Sequence, residues 1–453
     1  MRMENNLENK NLYKETLTLL WPIALQNLLT LSISISDNFF SSKISEGAIS
    51  AIFLGGQMQI LLQFLAYGIS GVVLVLASQN KGAGKREAVS GVGSFGILLS
   101  LLLGLVFMLM GLLFPREIVS FFAKDTSAVS TAADYLKTLS LSFPFFAVSS
   151  GITAIMRSIK KPKIPFVSSG VALFVNVSLN FLLIFGKLGL PALGTAAIGI
   201  SAVTARVIEC AVLVVYLFFF ERELKITPRV LFSLDMPLIG KFFKSGYPII
   251  LGQVVWGVGN LFSTLVISRK ISTLAVAALS LAGLMHNLSY IIINALSATV
   301  GTIFASLVGA GREDEATGYA HRAELIFLSL GITTGILIFL SKGVFVSLYS
   351  LSGEGERIAL SFLSVLSVTV VGTSYQSGIL YGVLRGGGMI KFVFWCDLFF
   401  VLLVGMPYAF SAAEASLAPW IVFAALKSDQ ILKCIPAFIR MRSGKSICEA
   451  RLL

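Results

Sequence analysis

The stretch QNKGAGKREAVSGVGSFGILLSLLLGLVFMLMGLL, residues 79–113, decides the fold. Its first ten residues are polar and glycine-rich, and from Val89 to Phe114 no charged side chain interrupts an apolar run. A helix rises about 1.5 Å per residue, so about 20 apolar residues cross a hydrocarbon layer of ~30 Å. This run is long enough to span a bilayer. Working outward, the same alternation of short polar loop and long apolar run fills the chain.

Runs of spanning length lie near 15–40, 47–78, 89–114, 128–156, 164–186 and 194–220. A second set lies near 244–268, 273–307, 318–341, 356–384, 391–412 and 415–439. Twelve spans leave no room for a sizeable soluble domain. Helices are expected, because a backbone in lipid must satisfy its own hydrogen bonds. The fold class is therefore all-α integral membrane, with twelve transmembrane helices. Composition agrees: the 453 residues are 56% hydrophobic and 13% charged, with mean hydropathy +0.88, whereas soluble chains carry roughly 25% charge.

The two sets echo each other at an offset of about 227 residues. Trp21-Pro22-Ile23 returns as Tyr247-Pro248-Ile249, and Gly56 and Met58 return as Gly283 and Met285. Gly82-Ala83-Gly84-Lys85 returns as Gly309-Ala310-Gly311-Arg312, and Arg157 returns as Arg385. Six spans per half make the repeat parallel, an arrangement characteristic of secondary transporters with a site near the midplane. The expected organisation is an N-terminal six-helix lobe (1–220), a cytoplasmic linker (221–241) and a C-terminal six-helix lobe (242–453) with a short cytoplasmic tail.

A net charge of +12 raises the question of nucleic acid. The basic residues form no stripe with interleaved aromatics, which a nucleic-acid face would need. They sit in loops: 23 on the side that holds both termini and 8 on the other, with 4 inside spans. The positive-inside rule then puts both termini in the cytoplasm. The polar start, MRMENNLENKNLYKE, carries no sign of a removable signal peptide.

Several motifs dissolve in context. Gly91-Val92-Gly93-Ser94-Phe95-Gly96 fits a dinucleotide pattern but opens an apolar helix, where small residues serve close packing. Gly444-Lys445-Ser446 lacks the earlier P-loop glycine, since position 439 is Ile, so no ATP-driven motor is encoded. Asn176-Val177-Ser178 matches a glycosylation sequon inside a span. Cys210, Cys396, Cys434 and Cys448 form no CxxC pair and read as small hydrophobes. His286 and His321 lie too far apart in sequence to suggest zinc.

Ionisable residues within spans are costly and mark function by default. Asp37 follows Ser32, Ser34 and Ser36 in the outer part of span one and reads as a protonatable or cation-binding carboxylate. Asn176 and Asn180, one helical turn apart on span five, are placed to hydrogen-bond that carboxylate, to ligate a cation, or to glue neighbouring helices. A Na⁺ ion would find its ligands in Asp37, Asn176 and Asn180. Arg206 and Glu209 are neighbours on span six and should pair, as a structural bridge or as a coupling element. Asp397 on span eleven is read as solvated near the cytoplasmic side or as a transport residue. Gln253, Asn260, His286, Tyr375 and Gln376 concentrate polar groups in spans seven, eight and ten. With Gln57, Arg206 and Asp397 they are the candidates for lining a substrate cavity.

These pieces together resemble the MATE family of multidrug and toxic compound extrusion transporters. The resemblance rests on Trp21-Pro22, Asp37, the two glycine loops, Asn176, Leu384-Arg385-Gly386-Gly387-Gly388, and Asp397 ahead of Gly405-Met406-Pro407. It covers about 13–440. It implies a V-shaped pair of lobes, a central cavity, and export of organic cations in exchange for H⁺ or Na⁺, with no cofactor. It also implies a multi-pass protein of the inner membrane, acting as a monomer. Asp37 matches the family's first-helix carboxylate and Asn176 its supporting asparagine. There are departures: Asn180 stands where many relatives carry Asp, span seven holds no acid, and Ser374 replaces an expected Asp. Coupling should then rest on Asp37 and the first half, with Glu209. The rival readings are a lipid-linked oligosaccharide flippase of the wider superfamily and, from another class, a membrane-embedded enzyme. The few intramembrane basic residues argue against the first, and no catalytic constellation supports the second.

Overall fold

The computed structural model describes the chain except residues 1, 45, 123–125, 190, 225, 228–229, 232–235, 271–272, 350–352 and 444–453. Lys124, the Gly444-Lys445-Ser446 motif, Cys448 and parts of the linker therefore lie outside the described residues. No strand occurs among the described residues.

Among the described residues ten helices are long and apolar enough to cross a membrane, and a bent pair brings the number to eleven. Spans one to three are Arg2–Ser42, Glu46–Gly82 and Arg86–Leu113. Span four is the pair Val129–Ser140 and Phe143–Ser158, bent by 48°. The break falls where Pro144 begins the second helix, as its missing N–H allows. Spans five and six are Lys163–Phe185 and Thr195–Phe220. Spans seven to eleven are Met236–Lys270, Thr273–Gly309, Glu313–Ser347, Gly353–Leu384 and Ile390–Glu414. The twelfth expected run is not one helix. It is Pro419–Leu426, Ser428–Leu432 and Cys434–Arg442 in succession, broken around the polar residues Lys427 and Lys433.

Among the described residues three spans carry wider turns, and span six closes on one at Tyr216–Phe220. Span ten is wound in five-residue steps over Ser377–Leu384, and span eleven over Leu398–Gly405. In span eleven the cause is Pro407, whose ring excludes the ordinary bond to the carbonyl four residues back. Such segments turn side chains away from their regular register.

The repeated glycine loop has a conformational reason. Gly84 and Gly311 both adopt positive φ, 73° and 74°. The next amide then bonds a carbonyl five residues back: Lys85 to Asn80 and Arg312 to Leu307, both 3.0 Å. This is the Schellman stop, which L side chains enter only with strain. The glycines of 91–96 are packing residues: a Cβ on Gly93 would stand 2.9 Å from Ile155 Cδ1, and one on Gly96 would collide with Val73.

The chain divides into two compact units. One comprises 21–81 and 85–244, with a core built around Leu62, Ala66, Leu136 and Phe143. Its loops are tied to the linker: Lys161 Nζ bridges Glu221 at 2.8 Å, Lys81 Nζ bridges Glu223 at 2.9 Å, and Ser90 Oγ donates to the Leu224 carbonyl. The other unit comprises 1–20, 82–84 and 245–453. Its cores hold Phe304, Phe327 and Leu380 in one cluster, and in another Phe362 stacked on Phe423 at 4.3 Å. The first twenty residues belong here, with Thr16 Oγ1 and Tyr319 Oη 2.9 Å apart.

Candidate functional site

In the first unit, span five presents Asn176 and Asn180 on one face, both fully buried. Both Nδ2 groups donate to Asp37 Oδ1, at 3.0 and 2.9 Å, and Asn180 Nδ2 also reaches Asn176 Oδ1 at 3.3 Å. Asp37 is half-buried. Asn180 Oδ1 and Ser36 Oγ are buried without a hydrogen-bond partner among the described residues. The carboxylate is thus held by neutral donors, and oxygen acceptors remain unused beside it. A hard monovalent cation or a proton fits that donor set, since both seek oxygen lone pairs.

A second polar chain runs through the same unit. Arg206 Nη1 bridges Glu209 Oε2 at 2.7 Å, and Arg206 lies 5.1 Å from the Phe146 ring centre. Ser169 Oγ donates to Glu209 Oε1 at 2.8 Å, and Gln26 Nε2 lies 3.5 Å from Ser169 Oγ. Arg157 Nη2 donates to Gln26 Oε1 at 2.7 Å. Spans one, four, five and six are cross-tied by this chain. Both carboxylate oxygens of Glu209 are engaged, unlike those of Asp37.

The other candidates do not form one group. Gln57 is half-buried and donates to the Phe53 carbonyl one turn back at 3.0 Å. Gln253 is half-buried and Asn260 exposed. His286 stacks on Tyr290 at 5.6 Å, and its Nδ1 is a buried atom with no partner among the described residues. Tyr375 Oη donates to Glu324 at 2.7 Å, while Gln376 Nε2 donates to Gln430 Oε1 at 2.6 Å.

Asp397 departs from the solvated reading. It is 1% exposed, accepts a bond from Tyr381 Oη at 2.6 Å, and pairs with Lys433 at 3.0 Å. Lys433 pairs also with Asp429 at 3.0 Å. Sequence reasoning missed Lys433, Asp429, Gln430, Tyr381 and Trp256. The available signal was Asp429-Gln430-Ile431-Leu432-Lys433, an acid and a base one helical turn apart inside an apolar run.

Apolar helices of spanning length with ionisable side chains held among them mark a multi-span membrane protein, and solved structures agree on the fold. A MATE in complex with MaL6 superposes with TM-score 0.86 at 17% identity, covering 95% of each chain. A MOP superfamily transporter from Pyrococcus furiosus, described by a binding pocket of reversed polarity, gives 0.87 at 17%, covering 96% of this chain and 97% of that one. Among sequences, the probable multidrug resistance protein NorM of Photorhabdus laumondii is 24% identical over 418 residues, 90% of this chain and 88% of that protein. The NorM of Halalkalibacterium halodurans is 24% identical over 426 residues, 92% and 90%. The MatE family model matches residues 22–182 and 248–411. The chain belongs to the MatE family of membrane transporters and is not an enzyme.

Proposed function

We infer that this transporter exports amphipathic cationic small molecules in exchange for inward H⁺ or Na⁺, with Asp37 as the exchanging group. The observation that carries the reading is the half-buried Asp37 carboxylate, held by two fully buried carboxamides and tied to no fixed cation by any hydrogen bond described. Such a carboxylate binds a mobile cation or proton and gives it up when the substrate's positive charge takes its place. Asn176 and Asn180 fix its position, and the unpartnered Asn180 Oδ1 supplies a ligand to a bound Na⁺. Exchange shifts the population between inward- and outward-open states, and the gradient sets the direction.

The names of the NorM relatives support a drug-like cargo. The excess of basic residues on one set of loops supports both termini in the cytoplasm, in a protein of the plasma membrane. The test is dye efflux from proteoliposomes under a pH gradient alone and then a sodium gradient alone. One gradient drives efflux in wild type, and Asp37→Asn abolishes it while leaving the protein folded. Gradient-driven efflux by Asp37→Asn at the wild-type rate would remove Asp37 from the scheme.

A further inference from the structure

We propose that the C-terminal unit contains a monovalent-cation site, between Asp397 of span eleven and Asp429 of the broken span twelve, which the chain fills with its own Lys433 ammonium. Lys433 Nζ stands 3.0 Å from Asp397 Oδ1 and 3.0 Å from Asp429 Oδ2. The three side chains are 0%, 1% and 8% exposed. The Trp256 ring centre lies 5.0 Å from the same nitrogen, which adds an aromatic face to the two carboxylates. Two acids enclose one base, so the pocket favours a positive charge at its centre.

The shell is built independently of that lysine. Tyr381 Oη donates to Asp397 and is itself fixed by Trp256 Nε1 at 2.8 Å. Gln430 Nε2 approaches both Asp429 oxygens, at 3.3 and 3.2 Å, and Gln430 Oε1 receives Thr373 and Gln376 at 2.7 and 2.6 Å. One ligand atom is still unused: Asp397 Oδ2 is buried without a partner among the described residues. It faces span seven at Gly252, where a Cβ would stand 3.6 Å away. Removing the ammonium therefore leaves oxygens already positioned around a vacancy of cation size. In the native chain no solution cation is needed there, because the tethered one is always present at high effective concentration.

The inference is independent of the export reading, because its test is ligand-linked stability and not transport. All proteins carry Asp37→Asn, which removes any contribution from the first unit. Thermal unfolding in detergent is followed in Na⁺, K⁺, methylammonium and N-methylglucamine at equal ionic strength. With Lys433 present, the midpoint is the same in all four. In Lys433→Met, at least one small cation raises the midpoint saturably with concentration, as binding to the folded state requires, and N-methylglucamine does not. Adding Asp397→Asn to Lys433→Met abolishes the rise. The proposal is overturned if Lys433→Met shows no small-cation dependence, or if the rise survives Asp397→Asn. It is equally overturned if Lys433→Met fails to fold in every cation, since a preformed vacancy must be fillable.

Discussion

Glu209→Gln tests whether the charged pair on span six is a strut or a moving part. Glu209 and Arg206 side chains are 7% and 11% exposed, and their atoms meet at 2.7 Å. Removing one partner of a buried pair costs roughly 3–5 kcal/mol, because the other charge is left uncompensated. Arg206 retains the Phe146 face, worth about 1 kcal/mol, and some access to solvent. A loss of about 2–4 kcal/mol is therefore expected for Glu209→Gln, and a similar loss for Arg206→Met. The double variant Arg206→Met/Glu209→Met removes both charges. It forfeits the Ser169 bond, about 1 kcal/mol, and little else. The double variant should then be more stable than either single one, with a coupling of roughly 3 kcal/mol or more. In detergent, thermal midpoints move by about 1–2 °C per kcal/mol for a chain of this size, so the reversal of order is readable. Losses in the double variant equal to the sum of the singles would refute the argument.

Asn180→Leu removes one of two donors to Asp37, a bond to a charged acceptor worth about 1.5–3 kcal/mol. The coupling cation should half-saturate transport at a concentration roughly ten-fold or more higher, measured as efflux against cation concentration. Gly335→Ala places a Cβ well inside contact distance of the Ser367 carbonyl oxygen, a backbone atom that cannot rotate away. It should cost about 1–3 kcal/mol, read as a lower thermal midpoint with spans nine and ten loosened in hydrogen exchange. On the linker, Glu223 is desolvated, but its bonds and charge contacts with Lys81 and Lys161 hold its pKa below the ordinary 4.5. A depressed carboxylate stabilises above its unfolded pKa and loses that stability as pH falls through the folded value. Hydrogen-exchange protection at 222–224, taken relative to the intrinsic rate at each pH, should therefore fall below about pH 4.5, and Glu223→Gln should flatten that dependence.

The spans were legible because the solvent is hydrocarbon: length and apolarity alone identify a helix that must cross it. The expected run of span twelve is helical too, but its average hydropathy hid Lys427, Asp429 and Lys433, and the helix is interrupted at Lys427 and Lys433. The Asp37 site was readable from local pattern, since Asn176 and Asn180 recur at one helical turn and an acid in lipid demands partners. Asp397 was misjudged because its partners are 16 and 36 residues away on other elements. The wider turns at Ser377–Leu384 and Leu398–Gly405 also shift the register from which facing residues are counted. Such pairings belong to tertiary packing: the sequence shows Asp429 and Lys433 one turn apart, but not that Asp397 joins them.

The two carboxylates nearest to family positions meet opposite electrostatic fates. Asp37 is met by amide dipoles, each bond worth about 1.5–3 kcal/mol, and its negative charge stays unneutralised by any group bonded to it. A proton or a small ion can therefore exchange there against a few kcal/mol. Asp397 is met by an ammonium at 3.0 Å in a fully buried setting, and separating such a pair costs about 3–5 kcal/mol with no release into water. A mobile cation must also compete with one that cannot diffuse away. Exchange is physically cheap at the first carboxylate and obstructed at the second. On the proposed reading, a driving gradient would therefore act at Asp37 and not at Asp397.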